Sequence, residues 1–216
     1  LPCGGALGRG CGPLVLSRTR RSDIGGLHIA VPGERTTAYL LMRLWSAQQP
    51  PARISVVPFA QIMPAVADGT YDAGLVIHEA RFTYHRHGLT QVADLGEWWE
   101  AETGLPIPLG AILLRKGVRL DGAVLDPATA AGWIRESVRR AWADPAASRS
   151  YVLTHAQEME TDVVDAHIGL YVNDFTADLG EEGYGAVNAL LGRAAAVGLV
   201  PAVAPLRPPT EPPPSI

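Results

Sequence analysis

The stretch Ala73-Gly74-Leu75-Val76-Ile77-His78-Glu79 is apolar at five successive positions and then turns polar. A strand that is apolar on both faces belongs in the middle of a parallel sheet with helices covering it. In such sheets ligands gather at the carboxyl ends of the strands, where this chain carries an imidazole and a carboxylate. Upstream, residues 27–31 read as a strand ended by Pro32-Gly33, and Thr36 or Thr37 as the N-cap of a helix over residues 38–47. Leu40, Leu41, Leu44 and Trp45 share one face of that helix, and Pro50-Pro51 stops it. Residues 54–57 form the next strand, and Pro58 opens a helix bearing Ile62, Met63 and Val66 that Gly69 closes. Strand, helix, strand, helix, strand across residues 27–78 is the mark of a parallel α/β unit.

Farther out, residues 14–16 and 109–115 read as strands and residues 90–93 as a short one. From about Asp126 the pattern becomes helical, over Pro127–Ala143, residues 145–157, Thr161–Tyr171 and residues 180–197. The layout suggests two lobes. Residues 27–104 would form a smaller α/β lobe, residues 1–26 and 105–200 a larger one, and residues 201–216 a proline-rich, extended tail. Only two strands fall in the larger lobe, too few for a covered sheet, so a segment upstream of Leu1 is expected.

Composition narrows the partners. With 216 residues, 47% of them hydrophobic, the chain can bury a real core. A net charge of −4 disfavours nucleic acid, since neutralising phosphates needs a basic face. The run from Gly104 to Leu114 is too short to span a bilayer and carries Pro106 and Pro108, so no membrane partner is expected. No basic segment followed by an apolar run is visible in the residues from Leu1 onward, so no export signal is expected from them. Cys3 and Cys11, without a C-x-x-C spacing, read as free thiols in a reducing compartment, with one disulfide as the alternative.

Two readings stand for each chemical candidate. His78 is either a general base, because imidazoles titrate near neutrality, or a histidine that ends a strand and bonds the backbone. Glu79 would orient it poorly, since adjacent strand residues face opposite ways. Thr36 and Thr37 read first as a helix cap and its neighbour. The same hydroxyls, with the N–H groups of the first turn, would also hold a carboxylate. The glycine-rich segment Gly4 to Gly12 lacks a Gly-Lys-Ser/Thr ending and precedes a strand, so it is a closely packed loop and not a phosphate cradle. His85 and His87 lack further ligands and read as a solvated loop. His155 and Glu158, three apart, offer a metal pair or a second acid/base pair, but with no third ligand they read first as a helix-surface pair. Trp98-Trp99 should place one ring in the core. No G-x-S-x-G, H-E-x-x-H or thiol beside a histidine is present, so nucleophilic and zinc hydrolysis have no support.

With these residues in view, the chain resembles the 1,4-dihydroxy-6-naphthoate synthases of the futalosine route to menaquinone. The resemblance is carried by Gly4-Gly5-Ala6-Leu7-Gly8-Arg9-Gly10-Cys11-Gly12-Pro13-Leu14-Val15, Ala30-Val31-Pro32-Gly33-Glu34-Arg35-Thr36-Thr37-Ala38-Tyr39 and Ile77-His78-Glu79-Ala80-Arg81-Phe82-Thr83-Tyr84. It continues in Asp94-Leu95-Gly96-Glu97-Trp98-Trp99-Glu100, Thr103-Gly104-Leu105-Pro106-Ile107-Pro108-Leu109-Gly110 and His155-Ala156-Gln157-Glu158-Met159. It implies an α/β, two-lobed fold like that of type II periplasmic solute-binding proteins. Family members begin with additional strands and helices, so the chain is expected to be N-terminally truncated relative to them. The resemblance further implies a cytoplasmic lyase, with no metal or organic cofactor, acting on cyclic dehypoxanthinyl futalosine, a small-molecule carboxylate. His78 would be the proton acceptor, and Thr36 and Thr37 would bind substrate. Its sister enzyme, which dehydrates chorismate on a similar scaffold, and a solute-binding protein without chemistry are the alternatives.

Overall fold

Strand Ala73–Val76 is buried at all four positions and lies at the centre of a five-stranded sheet. A computed structural model describes residues 1–78, 80–155 and 161–208. In chain order the first elements are β1 (Gly5–Gly8), β2 (Leu14–Ser17), β3 (His28–Val31), α1 (Thr37–Trp45), β4 (Arg53–Val56), α2 (Phe59–Ala67) and β5 (Ala73–Val76). A short helix α3 (Ala80–Thr83), a 3-10 turn (Tyr84–His87), β6 (Thr90–Asp94), α4 (Leu95–Thr103) and β7 (Ile107–Ala111) follow. The remainder is a hairpin, β8 (Arg119–Leu120) and β9 (Ala123–Val124), then α5 (Pro127–Ala143), α6 (Pro145–His155), α7 (Thr161–Tyr171), α8 (Asp174–Ala177) and α9 (Gly180–Ala196).

The large sheet has the order β4-β3-β5-β2-β6. β3 runs parallel to β4 and β5, whereas β2 runs antiparallel to both β5 and β6. This corrects two expectations. The sheet is mixed, not wholly parallel, and the strand Leu14–Ser17 belongs to it, not to the larger lobe. The physical reason is that β2 is buried at all four positions and pairs along both of its edges. A strand covered on both faces has the same apolar signature whichever way it runs.

Helix α2 lies directly on β5. A Cβ added at Gly74 would stand 2.6 Å from Ile62 Cγ2 and 2.9 Å from Val66 Cγ2, so the glycine is what lets helix and sheet approach. Ile62 and Val66 join Leu14, Leu16, Ala30, Val76, Ala80 and Leu89 in one buried cluster. Trp99 is fully buried and donates its indole N–H to the Pro106 carbonyl at 3.0 Å, making it the core member of the tryptophan pair.

The chain divides into two compact units, Gly8–Ile107 with Ala189–Val203, and Leu1–Leu7 with Pro108–Asn188 and Ala204–Ile216. The first holds the large sheet. The boundary therefore falls near Gly8, not Leu27, and the end of α9 joins the sheet-bearing unit. There Arg193 sits over the Trp99 ring at 5.5 Å and donates to the Glu102 carbonyl at 3.2 Å. The second unit carries the paired strands β1 and β7, the β8–β9 hairpin and α5–α8. β1 is a departure from the loop expected there, although the close packing is real: a Cβ at Gly4 would collide with the Thr176 carbonyl. Residues 201–208 form no helix or strand, yet Leu206 exchanges two hydrogen bonds with the Asn188 amide, both 2.8 Å.

Candidate functional site

β3, β4, β5 and β6 point the same way, so the turns that follow them collect at one edge of the sheet. Each turn leads into a helix: α1 after β3, α2 after β4, α3 after β5 and α4 after β6. The start of β2 reaches the same edge, because that strand is antiparallel.

Thr36 closes the first turn with extended backbone (φ −117°, ψ 151°) and caps α1. Its Oγ1 accepts from the Tyr39 N–H at 3.0 Å and donates to the Gly33 carbonyl at 3.1 Å. Thr37 is the first helical residue, and both threonines are half-buried. The first turn of α1 contains no acidic residue, so nothing there competes with a bound anion for the helix N-terminus.

His78 lies two residues beyond β5, in the turn before α3, and is exposed. The strand ends at Val76 and does not run through to the histidine as the apolar run suggested. At φ 56° His78 occupies the left-handed region, one of two non-glycine residues to do so among those described. Such conformations persist where the surroundings over-determine them, and they cluster at functional sites. The imidazole meets Phe59, the first residue of α2, edge-on, with ring centroids 6.2 Å apart and planes at 77°. Glu79, considered as an orienting carboxylate, lies outside the described residues.

Sequence reasoning missed the ion pair beside this turn. Arg81 Nη2 donates to Asp94 Oδ2 at 2.8 Å, and Nη1 donates to the Gly12 carbonyl at 2.8 Å. The side chains are 16% and 1% exposed. Asp94 also caps α4, its Oδ1 accepting from the N–H groups of Gly96 at 2.8 Å and Glu97 at 3.3 Å. Both residues stood in the stretches that carry the family resemblance, and an arginine three positions after the histidine was the available signal. Gly12 and Gly96 pack backbone to backbone here; a Cβ on Gly96 would collide with the Cys11 carbonyl. Burial raises the Cys11 thiol above its ordinary pKa and keeps it protonated, against the lowering pull of Arg81.

The remaining candidates lie elsewhere. His85 and His87 are exposed on the 3-10 turn at the far end of β6. Among the described residues no group of three or more His, Cys, Asp or Glu side chains is arranged to hold a metal ion. His155 ends α6 in the other unit, exposed, its ring 4.6 Å from that of Tyr151. Its expected helix partner, Glu158, lies outside the described residues. Cys3 and Cys11 are both buried and free. No helix among the described residues is long and apolar enough to cross a membrane.

A family model described as menaquinone biosynthesis matches residues 1–196. The chain is 62% identical over 210 residues to a 1,4-dihydroxy-6-naphthoate synthase of Streptomyces coelicolor, covering 95% of this chain and 72% of that protein. It is 48% identical over 201 residues to the Thermus thermophilus protein of the same name, covering 92% and 71%. Among solved structures, protein AF1704 of Archaeoglobus fulgidus superposes with a TM-score of 0.79 at 33% identity, covering 93% of this chain and 73% of that one. A periplasmic sulfonate-binding protein from Methylobacillus flagellatus gives a TM-score of 0.57 at 14% identity, covering 91% and 62%. That last likeness concerns the fold alone, which is of the periplasmic-binding-protein kind.

Proposed function

The chain belongs to the menaquinone-biosynthesis family, and from that premise we propose a carbon–carbon lyase that releases 1,4-dihydroxy-6-naphthoate from cyclic dehypoxanthinyl futalosine. That it is an enzyme of menaquinone biosynthesis follows from the family and from its two naphthoate synthase relatives. The bond broken and the residues that break it are the proposal.

In this reading the substrate carboxylate lies against the N-terminus of α1. Thr37 donates its hydroxyl from the first helical position. Thr36 re-aims its proton from the Gly33 carbonyl to the carboxylate while still accepting from Tyr39. His78 accepts a hydroxyl proton of the cyclic substrate. The freed O–H pair becomes the carbonyl of the departing sugar-derived portion as the carbon–carbon bond breaks, and the pair of that bond stays on the ring, which takes the proton back. Gain of aromaticity in the naphthoate supplies driving force. The Phe59 ring holds the imidazole edge-on, which limits its rotation. The observation that carries the reading is His78 in a left-handed turn at the carboxyl end of β5, with Thr36 and Thr37 following the adjacent parallel strand β3. A cytoplasmic location belongs to the same proposal, supported by two buried thiols that remain unpaired.

The test is a product assay with purified protein. Cyclic dehypoxanthinyl futalosine should yield the naphthoate, and His78→Asn should lower kcat by about 10²–10⁴-fold, the usual contribution of a positioned base. A folded His78→Asn variant with near-full turnover removes the assignment. Turnover of chorismate instead would select the sister dehydratase, and binding without turnover of either would select a solute-binding protein.

A further inference from the structure

We propose that Arg81 is a positioning residue for this reaction: held between the Asp94 carboxylate and the Gly12 carbonyl, it fixes the His78 turn in its left-handed conformation. The inference rests on His78 being the proton acceptor. Arg81 follows that histidine by three residues, and its own backbone N–H donates to the His78 carbonyl at 3.4 Å. Any rotation of the turn therefore moves Arg81, and any displacement of Arg81 moves the turn.

The guanidinium is held at two places far apart in the chain, Gly12 just before β2 and Asp94 at the end of β6. A planar fork with fixed donor directions meets both at once, which a lysine ammonium on a flexible stem would not do. The second anchor is itself immobile. Asp94 is buried and spends its other oxygen on two backbone N–H groups of α4. The Arg81–Asp94 pair thus ties the starts of α3 and α4 to the beginning of β2. A proton acceptor gains from such restraint, since a displacement of about 1 Å at a reacting group costs on the order of 10²-fold in rate.

The closing experiment compares wild type, Arg81→Ala, Asp94→Asn, His78→Asn and the Arg81→Ala/His78→Asn double variant. Folding is checked by circular dichroism, and naphthoate formation is measured across substrate concentration. Arg81→Ala should lower kcat by about 10–100-fold with KM changed less than about threefold, and added guanidinium should restore part of the loss. Because Arg81 acts through His78, the double variant should be no slower than His78→Asn alone. Losses that multiply, or a folded Arg81→Ala variant with wild-type kcat, would overturn the proposal. If Arg81→Ala fails to fold, Asp94→Asn carries the test, since it keeps the cap oxygen and removes the anion that holds Arg81; wild-type kcat there overturns it equally. Near-full turnover by His78→Asn would instead bring down the base assignment itself. An inactive His78→Asn beside a fully active Arg81→Ala brings down the positioning role alone.

Discussion

Two adjacent threonines share the proposed anion site, and Thr36 also caps α1. Thr36 caps α1 through the Tyr39 N–H and donates to the Gly33 carbonyl, so Thr36→Ala should destabilise the protein by about 1 kcal/mol, read as a lower urea midpoint at unchanged m-value. Thr36→Ser keeps the oxygen and should restore most of that loss. Thr37 stands at the first helical position, one residue beyond the N-cap Thr36. Thr37→Val should raise KM for the carboxylate substrate several-fold in the folded enzyme. A Thr37→Val enzyme with wild-type KM would remove that residue from the anion site. The placement of His78 after a strand and of the threonines at a helix start was legible because helix starts and strand ends leave marks in a sequence. The Arg81–Asp94 pair was not, because its partners lie 13 positions apart and meet only once β2 is inserted between β5 and β6.

At the scale of elements, hydrophobic periodicity located β3, β4, β5 and the longer helices α1, α2, α5, α6, α7 and α9 to within a few residues, and missed the four-residue helices α3 and α8. Strand direction was hidden. Leu14-Val15-Leu16 looks the same inside a parallel or an antiparallel pair, and only the ladder settles it. β1 escaped for another reason: a strand read Gly-Ala-Leu-Gly carries little β-propensity, and its packing is fixed by what the glycines allow near. Gly74 is the sharpest case of that kind. Gly74→Ala would force α2 off β5, since Ile62 and Val66 are both fully buried and have no room to yield. The expected cost is about 1–3 kcal/mol, the usual range for overpacking a core, measured by denaturant unfolding. The same change in the open turn at Gly132, where a Cβ meets nothing within 4 Å, should be neutral or slightly stabilising in its helix.

At the scale of the whole chain, contacts far apart in sequence hold the sheet-bearing unit closed, and one of them makes stability depend on pH. Glu100 on α4 accepts from the Gly10 N–H at 2.8 Å and pairs with the Arg9 guanidinium, across about ninety residues. The Gly10 hydrogen bond, then that from Arg9, holds the Glu100 carboxyl below the usual glutamate range. A carboxyl depressed in the folded state stabilises the fold above its unfolded pKa, near ~4.3 for glutamate. That contribution is lost as the pH falls through the lowered folded value. Thermal midpoints measured from about pH 6 down to pH 3 should therefore fall more gently in Glu100→Gln than in wild type, starting from a lower plateau. Salt separates the two causes. The Arg9 pair is solvent-exposed and screened, whereas the Gly10 N–H bond is short-ranged, so 1 M salt should remove only the smaller part of the difference. Parallel acid limbs for wild type and Glu100→Gln would show that closure of this unit does not run through the carboxylate.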